Sequence, residues 1–254
     1  APKPEKISSP RPLLVDEEKG ILAMSHVPGS NLAYMLHEIR PVSRDALNRA
    51  LDLSAAALAE YHRIFCHDKR AGIQIDHAAP EDDINRLLLM SRQLIPDCSL
   101  QMLVTPFFDF TPWNIIIDGP EKEMMLYLID FPRSSYVSTP HLDLARFLFS
   151  LELIKQFPPA RFLGINRWNV EASFSRFLSR YCRLMQLQPN RHDLDLIARA
   201  RQAYIRRACD LSRKGSCGWQ PKIELAYLRA FSRSWLNQED GFSRWPRPGQ
   251  PDKA

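Results

Sequence analysis

Apolar positions along this chain fall into two periods. From Pro12 to Gly29 the sequence PLLVDEEKGILAMSHVPG reads as strand, turn, strand and loop. From Ser43, a good N-cap residue, Leu47, Leu51, Leu58, Tyr61 and Phe65 follow at helical spacing through an alanine-rich middle. Pro80 and the acids Glu81, Asp82 and Asp83 open a second helix carrying Ile84, Leu87, Leu88 and Leu94. The pattern then shortens. Ile115–Ile117 and the run from Met124 to Ile129 flank the turn signal Asp118-Gly119-Pro120, which predicts a β-hairpin. Thr139-Pro140 opens a helix through Leu144, Phe147, Leu148, Leu151 and Ile154, and further helices fit 169–186, 192–213 and 221–237. The chain is therefore expected to be α+β and mainly α-helical, with small hairpins. The proline-rich ends, Ala1 to Pro12 and Trp245 to Ala254, are expected to be mobile.

Candidate chemistry concentrates between Leu103 and Phe131, LVTPFFDFTPWNIIIDGPEKEMMLYLIDF. Asp109 lies among aromatic, Pro and Thr neighbours that break regular structure, so it belongs on a loop. A carboxylate there can accept a proton from an attacking hydroxyl. Asn114 stands where the loop enters the strand Ile115–Ile117, and Asp130 ends the returning strand. A hairpin brings these two together. An amide oxygen and a carboxylate, completed by phosphate oxygens and water, make an octahedral oxygen site of the kind magnesium takes.

These residues resemble the aminoglycoside phosphotransferase and choline kinase family of the protein-kinase-like fold. The family pattern is roughly H-G-D-x-x-x-x-N, a short hairpin, then I-D-F or I-D-W; here it reads Asp109-Phe-Thr-Pro-Trp-Asn114, the hairpin, and Ile129-Asp130-Phe131. The resemblance implies ATP with Mg2+, Asp109 as catalytic base, and Asn114 and Asp130 as metal ligands. It also implies that Asp143, in His141-Leu-Asp-Leu-Ala145, braces the catalytic loop, and that His62, in Leu58-Ala-Glu-Tyr-His62, ends the preceding helix. Ser25, His26 and Val27 fall where the family's hinge receives adenine. The likeness spans roughly residues 12 to 150, with its core from Asp109 to Asp130.

The departures are specific. Phe107 and Phe108 stand where the family has His and Gly, and Pro132 follows Asp130-Phe131 in place of Gly. Upstream, no glycine-rich loop is present, and Lys3, Lys6 and Lys19 lack the strand setting of a phosphate-binding lysine. The expected organisation is a remnant N-lobe hairpin and hinge at 1–38, a kinase-like C-lobe with its catalytic-loop hairpin at 39–245, and a flexible tail at 246–254. A fragment, a truncated frame and a degenerate protein all fit that shortened start.

Composition adds limits. No apolar run approaches the ~20 residues that cross a bilayer. The five cysteines lack Cys-x-x-Cys spacing, which argues against zinc and a disulfide framework and favours a reduced, cytoplasmic setting. The net charge is +5, and Arg199, Arg201, Arg206, Arg207, Arg213 and Lys214 crowd one helical segment. That segment reads as a solvated helix face, with an anionic surface as the alternative partner. No nucleic-acid motif accompanies it. Trp219 and Trp235 read as core or groove residues. His67-Asp68 and Arg191-His192-Asp193 read as surface polar pairs. The leading expectation is phosphoryl transfer from a nucleotide to a hydroxyl on a small molecule or sugar. The competing class is a pseudokinase-type binding module without catalysis.

Overall fold

The computed structural model describes residues 7–16, 18–19, 21–37, 43–67, 102–131, 138–156 and 168–213, with side chains of the last helix described to Arg206. The helices expected after Pro80 and over 221–237, both tryptophans at 219 and 235, Asp68, Pro132, and the tails at 1–6 and 245–254 lie outside the described residues. Among the described residues the architecture is mixed α+β. Its strands are β1 (Ile7–Ser8), β2 (Pro12–Asp16), β3 (Ile21–Met24), β4 (Ser30–Asn31), β5 (Cys66–His67), β6 (Leu103–Val104), β7 (Ile115–Asp118) and β8 (Met125–Leu128). Its helices are α1 (Leu32–His37), α2 (Arg44–Ile64), α3 (His141–Gln156), α4 (Val170–Met185) and α5 (Arg191–Arg213). No described helix is long and apolar enough to cross a membrane.

The predicted hairpin forms the centre of a four-stranded sheet in the order β1-β8-β7-β4. β7 and β8 pair antiparallel, Ile115 opposite Leu128 and Asp118 opposite Met125. Gly119, at φ 84°, makes the turn out of β7. Alternation along β7 buries Ile115 and Ile117, and along β8 it buries Leu126 and Leu128, giving the sheet one core face. β4 pairs with β7, while Ile7–Ser8 pairs parallel with Leu126–Tyr127. Residues 7 and 8 were expected within a mobile end. They are instead an edge strand, because β8 offers its outer backbone groups to them.

The segment read as a hairpin and hinge divides in two. β2 and β3 pair only with each other among the described strands. Leu13, Leu14, Val15, Ile21, Leu22 and Met24 along them are all exposed. The residues from Gly29 onward belong to the main body. Gly29 has φ 99°, and a Cβ there would meet the Ile117 carbonyl oxygen at 2.2 Å. Only glycine lets the loop approach β7 that closely. α1 follows directly, with Asn31 Oδ1 accepting from Tyr34 N at 2.8 Å, and buries Leu32, Ala33 and Leu36.

Helix boundaries follow local chemistry. Ser43 Oγ accepts from Ala46 N at 2.9 Å and caps α2. Asn169 does the same for α4 through Ala172 N. Asn190 and Asp193 bond reciprocally at the start of α5, a capping-box arrangement. That exchange overturns the surface-pair reading of His192-Asp193. His192 is exposed, but Asp193 is fully buried and bonds His141 Nε2 at 3.0 Å. The basic stretch of α5 also divides. Arg199 and Arg206 are exposed, whereas Arg201 is buried against Glu152 of α3, Nε to Oε2 at 2.6 Å. Burial pushes the Glu152 carboxyl up from its ordinary value, and the Arg201 charge pulls it back down.

The core lies where α2, α3, α4 and α5 meet the sheet. Ala55 and Ala59, on the face of α2 that carries Asp52 and His62, let it pack closely along α4. Phe147 and Phe177 stack with ring centroids 4.1 Å apart, with Phe110 beside both. Each fully buried ring of this kind contributes about 1.5–3 kcal/mol over an exposed one. Three buried weak acids lie on these helices, Tyr61 of α2 beside Phe107 and Phe131, and Tyr181 and Cys182 of α4. Burial, with the Asp143 charge adding to it, raises the Tyr61 hydroxyl to about 12. Burial, then Asp193, raises the Cys182 thiol to about 12, and burial raises Tyr181 as well.

Because the folded chain holds these protons longer than the unfolded chain, stability falls as pH rises. The loss begins near the ordinary thiol value of 9, grows at the ordinary tyrosine value of 10, and continues toward 12. The slope is about 1.4 kcal/mol per pH unit for each group. Urea denaturation from pH 8 to 11 should show the midpoint falling, and Cys182→Ala should remove the earliest part of the decline. A flat midpoint across that range would contradict it.

Candidate functional site

The loop from Thr105 to Asn114 is fixed at both ends. β6 pairs with β5 at the end of α2, and Val104 exchanges backbone hydrogen bonds with Ser138 at 2.8 and 2.9 Å. At the far end a 3-10 turn over Pro112–Asn114 leads into β7, with Asn114 N donating to Thr111 O at 3.0 Å. Between them the backbone makes a tight turn. Phe108 is left-handed at φ 58°, and Asp109 N donates to Phe107 O at 2.6 Å. A bulky residue in that region is strained by an amount on the order of 1–2 kcal/mol.

The compensation comes from α3. Asp143, in its first turn, is fully buried. Its Oδ2 accepts from Phe107 N and its Oδ1 from Phe108 N, both at 2.7 Å. Oδ2 also accepts from His62 Nε2 at 2.9 Å, and His62 Nδ1 lies 2.8 Å from the Tyr181 hydroxyl. With the imidazole proton on Nε2, Tyr181 donates to Nδ1. A continuous hydrogen-bonded line then runs from α4 through α2 and α3 to the loop. A buried carboxylate is tolerated when its lone pairs are filled in this way.

The aromatic pair at 107 and 108 has two fates. Phe107 is fully buried and packs edge-on to Tyr61 at 5.1 Å and to Phe110 at 5.8 Å. Phe131, just beyond Asp130, lies 5.4 Å from Phe107. The ring at 107 thus ties the loop to the end of the hairpin. Phe108 takes the strained backbone position and is half-buried.

Asp109 projects its carboxylate to the surface of this frame, with 47% of the side chain exposed. Asn114 Nδ2 donates both to its carbonyl oxygen at 3.0 Å and to Oδ2 at 2.9 Å. Oδ1 receives Arg146 Nη2 at 2.7 Å and Nε at 3.2 Å. Because the amide nitrogen of Asn114 is committed to Asp109, its carbonyl oxygen is turned to the other side of the residue. Ile129 N donates to Asn114 O at 3.1 Å, so Asn114 stands opposite the residue before Asp130. Strand alternation alone would send Asp130 to the opposite face. Asp130 is left-handed at φ 59°, which ends the extended run and lifts that constraint. Its side chain is exposed. Asn114 Oδ1 and the Asp130 carboxylate are hard oxygen donors, a chemistry that suits Mg2+. Among the described residues no group of three His, Cys, Asp or Glu side chains comes together, so a metal here would draw on this mixed pair and on ligand oxygens.

The hinge residues are placed less simply. Ser25 is occupied, its N–H donating to Arg11 O at 2.8 Å and its Oγ accepting from Arg11 N at 2.9 Å. It closes the base of the β2–β3 hairpin. His26 is exposed and Val27 half-buried, in the loop that Gly29 presses onto β7. Lys19 sits in the β2–β3 turn and pairs with Asp16 at 3.2 Å.

Sequence reasoning missed Arg146. It lies one helical turn after Asp143 and therefore on the same face of α3, a spacing that could have found it. Tyr181 had no local signal, since it meets His62 only through tertiary packing. No protein-family model matches the chain, and none of the curated proteins matches it.

Asp143→Asn retains one acceptor oxygen but places an amide N–H against a backbone N–H. It should destabilise the fold by about 1–3 kcal/mol. Amide exchange at Phe107 and Phe108 should accelerate more than exchange in α5. Equal protection of these two amides in the variant would remove the carboxylate from its bracing role.

Proposed function

We propose that this protein transfers a phosphoryl group from a magnesium-bound nucleotide to a hydroxyl of a small molecule or sugar, on a kinase-like C-lobe. The observation that carries the reading is the Asp109–Asn114 side-chain bond on a loop held by buried Asp143. A positioned carboxylate beside a neutral oxygen ligand is what phosphoryl transfer requires of a protein, since that chemistry rests on positioning and charge stabilisation. The left-handed Phe108 also supports the resemblance, because it stands where the family has glycine. In this reading Asp109 orients the acceptor hydroxyl and receives its proton. Asn114 and Asp130 hold Mg2+, which would neutralise charge on the nucleotide phosphates. His26 and Val27 lie in the loop that would meet the base, with Ser25 serving the hairpin. ATP is the expected donor.

A second reading keeps the site and drops the chemistry. It is favoured by the β2–β3 ribbon, which carries no glycine-rich loop among the described residues and whose one described lysine, Lys19, is spent on Asp16. A pseudokinase-type module would bind a nucleotide or partner there without turnover.

Two measurements separate these readings. Asp109→Asn should keep the fold, by circular dichroism and melting, and lower transfer by about 10²-fold or more. An unchanged rate takes Asp109 out of the mechanism, and a rate at background in the parent chain favours the second reading. Calorimetric titration with ATP and Mg2+ should give a Kd on the order of 1 mM, about 4 kcal/mol. Asp130→Asn should weaken the magnesium-dependent part and leave metal-free binding unchanged. Micromolar binding with turnover would show that other residues replace the missing phosphate contacts. A magnesium effect that survives Asp130→Asn would remove that residue from the metal site.

A further inference from the structure

Among the described residues Arg146 is the one charged group that touches the proposed base, and the resemblance does not account for it. It lies on α3, one turn beyond Asp143. Its guanidinium is 5.9 Å from the ring centre of Phe149 and 5.4 Å from that of Tyr204. Those rings back it from α3 and α5, and the attraction of a cation to ring faces helps hold it there. Nε and Nη2 both point at a single oxygen, Asp109 Oδ1. This is a shared contact to one atom, not the two-oxygen fork that an arginine and a carboxylate make when they bind only each other. Asp109 Oδ2 instead accepts from Asn114 Nδ2. Arg176 and Asp52 show the contrast, with Nε on Oδ1 at 2.9 Å and Nη2 on Oδ2 at 2.6 Å. Of the Arg146 side chain 28% is exposed, and Nη1 has no acceptor among the described residues.

We propose that Arg146 is a masked oxyanion-binding group, held by Asp109 in the free protein and presented to a phosphate or carboxylate oxyanion of a bound reactant. The reactant's identity rests on the phosphotransferase reading, since a hydroxyl held by Asp109 places the transferring phosphoryl group, and any anionic substituent of the acceptor, within reach of this side chain. A guanidinium there supplies positive charge beside a reaction centre at which negative charge is redistributed. Among the described lysines, Lys19 pairs with Asp16, Lys122 lies in the β7–β8 connection, and Lys155 bonds the Trp168 carbonyl. The Asp109 carboxylate competes with the incoming oxyanion for the same donors. Binding therefore couples occupation of the site to release of the carboxylate.

The competition can be measured without turnover. Inorganic phosphate is titrated into the full chain, followed by 31P line broadening, for the parent protein, Asp109→Asn, Arg146→Met and the double variant. Removing the internal competitor should tighten phosphate about tenfold. Arg146→Met should abolish that gain in the double variant, and Arg146→Lys, which keeps the charge but not the fork, should restore part of it. Circular dichroism and melting establish that each variant is folded, and Arg146→Gln replaces Arg146→Met if the latter does not fold. Equal phosphate affinity in the parent and Asp109→Asn, or a gain that persists without Arg146, overturns the proposal. ATP with Mg2+ is then added as competitor. Displacement of phosphate assigns the site to the transferring phosphoryl group, and simultaneous binding assigns it to an acceptor anion. If phosphate responds to the variants while ATP does not bind at all, the oxyanion site stands and the phosphotransferase reading fails.

Discussion

A single buried carboxylate organises the site. Asp143 has no exposed surface and, among the described residues, no lysine or arginine contact, so its charge is tolerated through the hydrogen bonds it accepts. Those donors are the loop backbone at Phe107 and Phe108 and the imidazole of His62. The arrangement works in both directions. The loop stabilises the charge, and the charge holds the loop in a backbone conformation that Phe108 would not otherwise adopt. Asp109 owes its place to this exchange, because it begins where the strained turn ends. The hydroxyl of Tyr181 extends the same constraint to α4, so helix packing and loop geometry depend on each other.

The sequence disclosed much of the layout. Ser43 and Gly119 stand where their chemistry places a cap and a turn, and the hairpin from Ile115 to Leu128 follows its alternating pattern. The proximity of Asp109 and Asn114 was legible because five positions of loop and turn separate them. What escaped was tertiary. Asp193 looks like a surface acid in Arg191-His192-Asp193, and only the packing of α5 on α3 reveals His141 above it. Arg201 looks like one more member of a basic face until Glu152 is seen beneath it. The β2–β3 ribbon was legible as a hairpin, but nothing in its pattern says that it pairs with no other described strand. Short edge pairings such as β1 have almost no local signal, since two residues cannot establish a period.

The electrostatics of the two faces of α3 differ in kind. Toward α5 the helix buries Glu152 against Arg201, and Asp193 against His141, pairs that are satisfied within the protein. Toward the loop Arg146 and Asp109 meet at a half-open surface. Buried pairs fix one packing, because separating them would strand a charge. A partly solvated pair is cheaper to part, since water or a ligand can take either side's place. The helix is thus held in one packing where it supports the fold and adaptable where it borders the candidate site.

The parallel pairing of Ile7–Ser8 with Leu126–Tyr127 has a consequence for how the chain assembles. Its two partners are separated by almost half of the sequence, whereas β7 and β8 are neighbours joined by a short connection. Joining distant segments costs chain entropy before the contact returns any stability. The hairpin therefore belongs to an early, local stage of folding, and the edge strand to a late one. On a ribosome, β1 emerges long before the strand it needs exists. The first described strand of the sheet in sequence is thus the last that can be added in time.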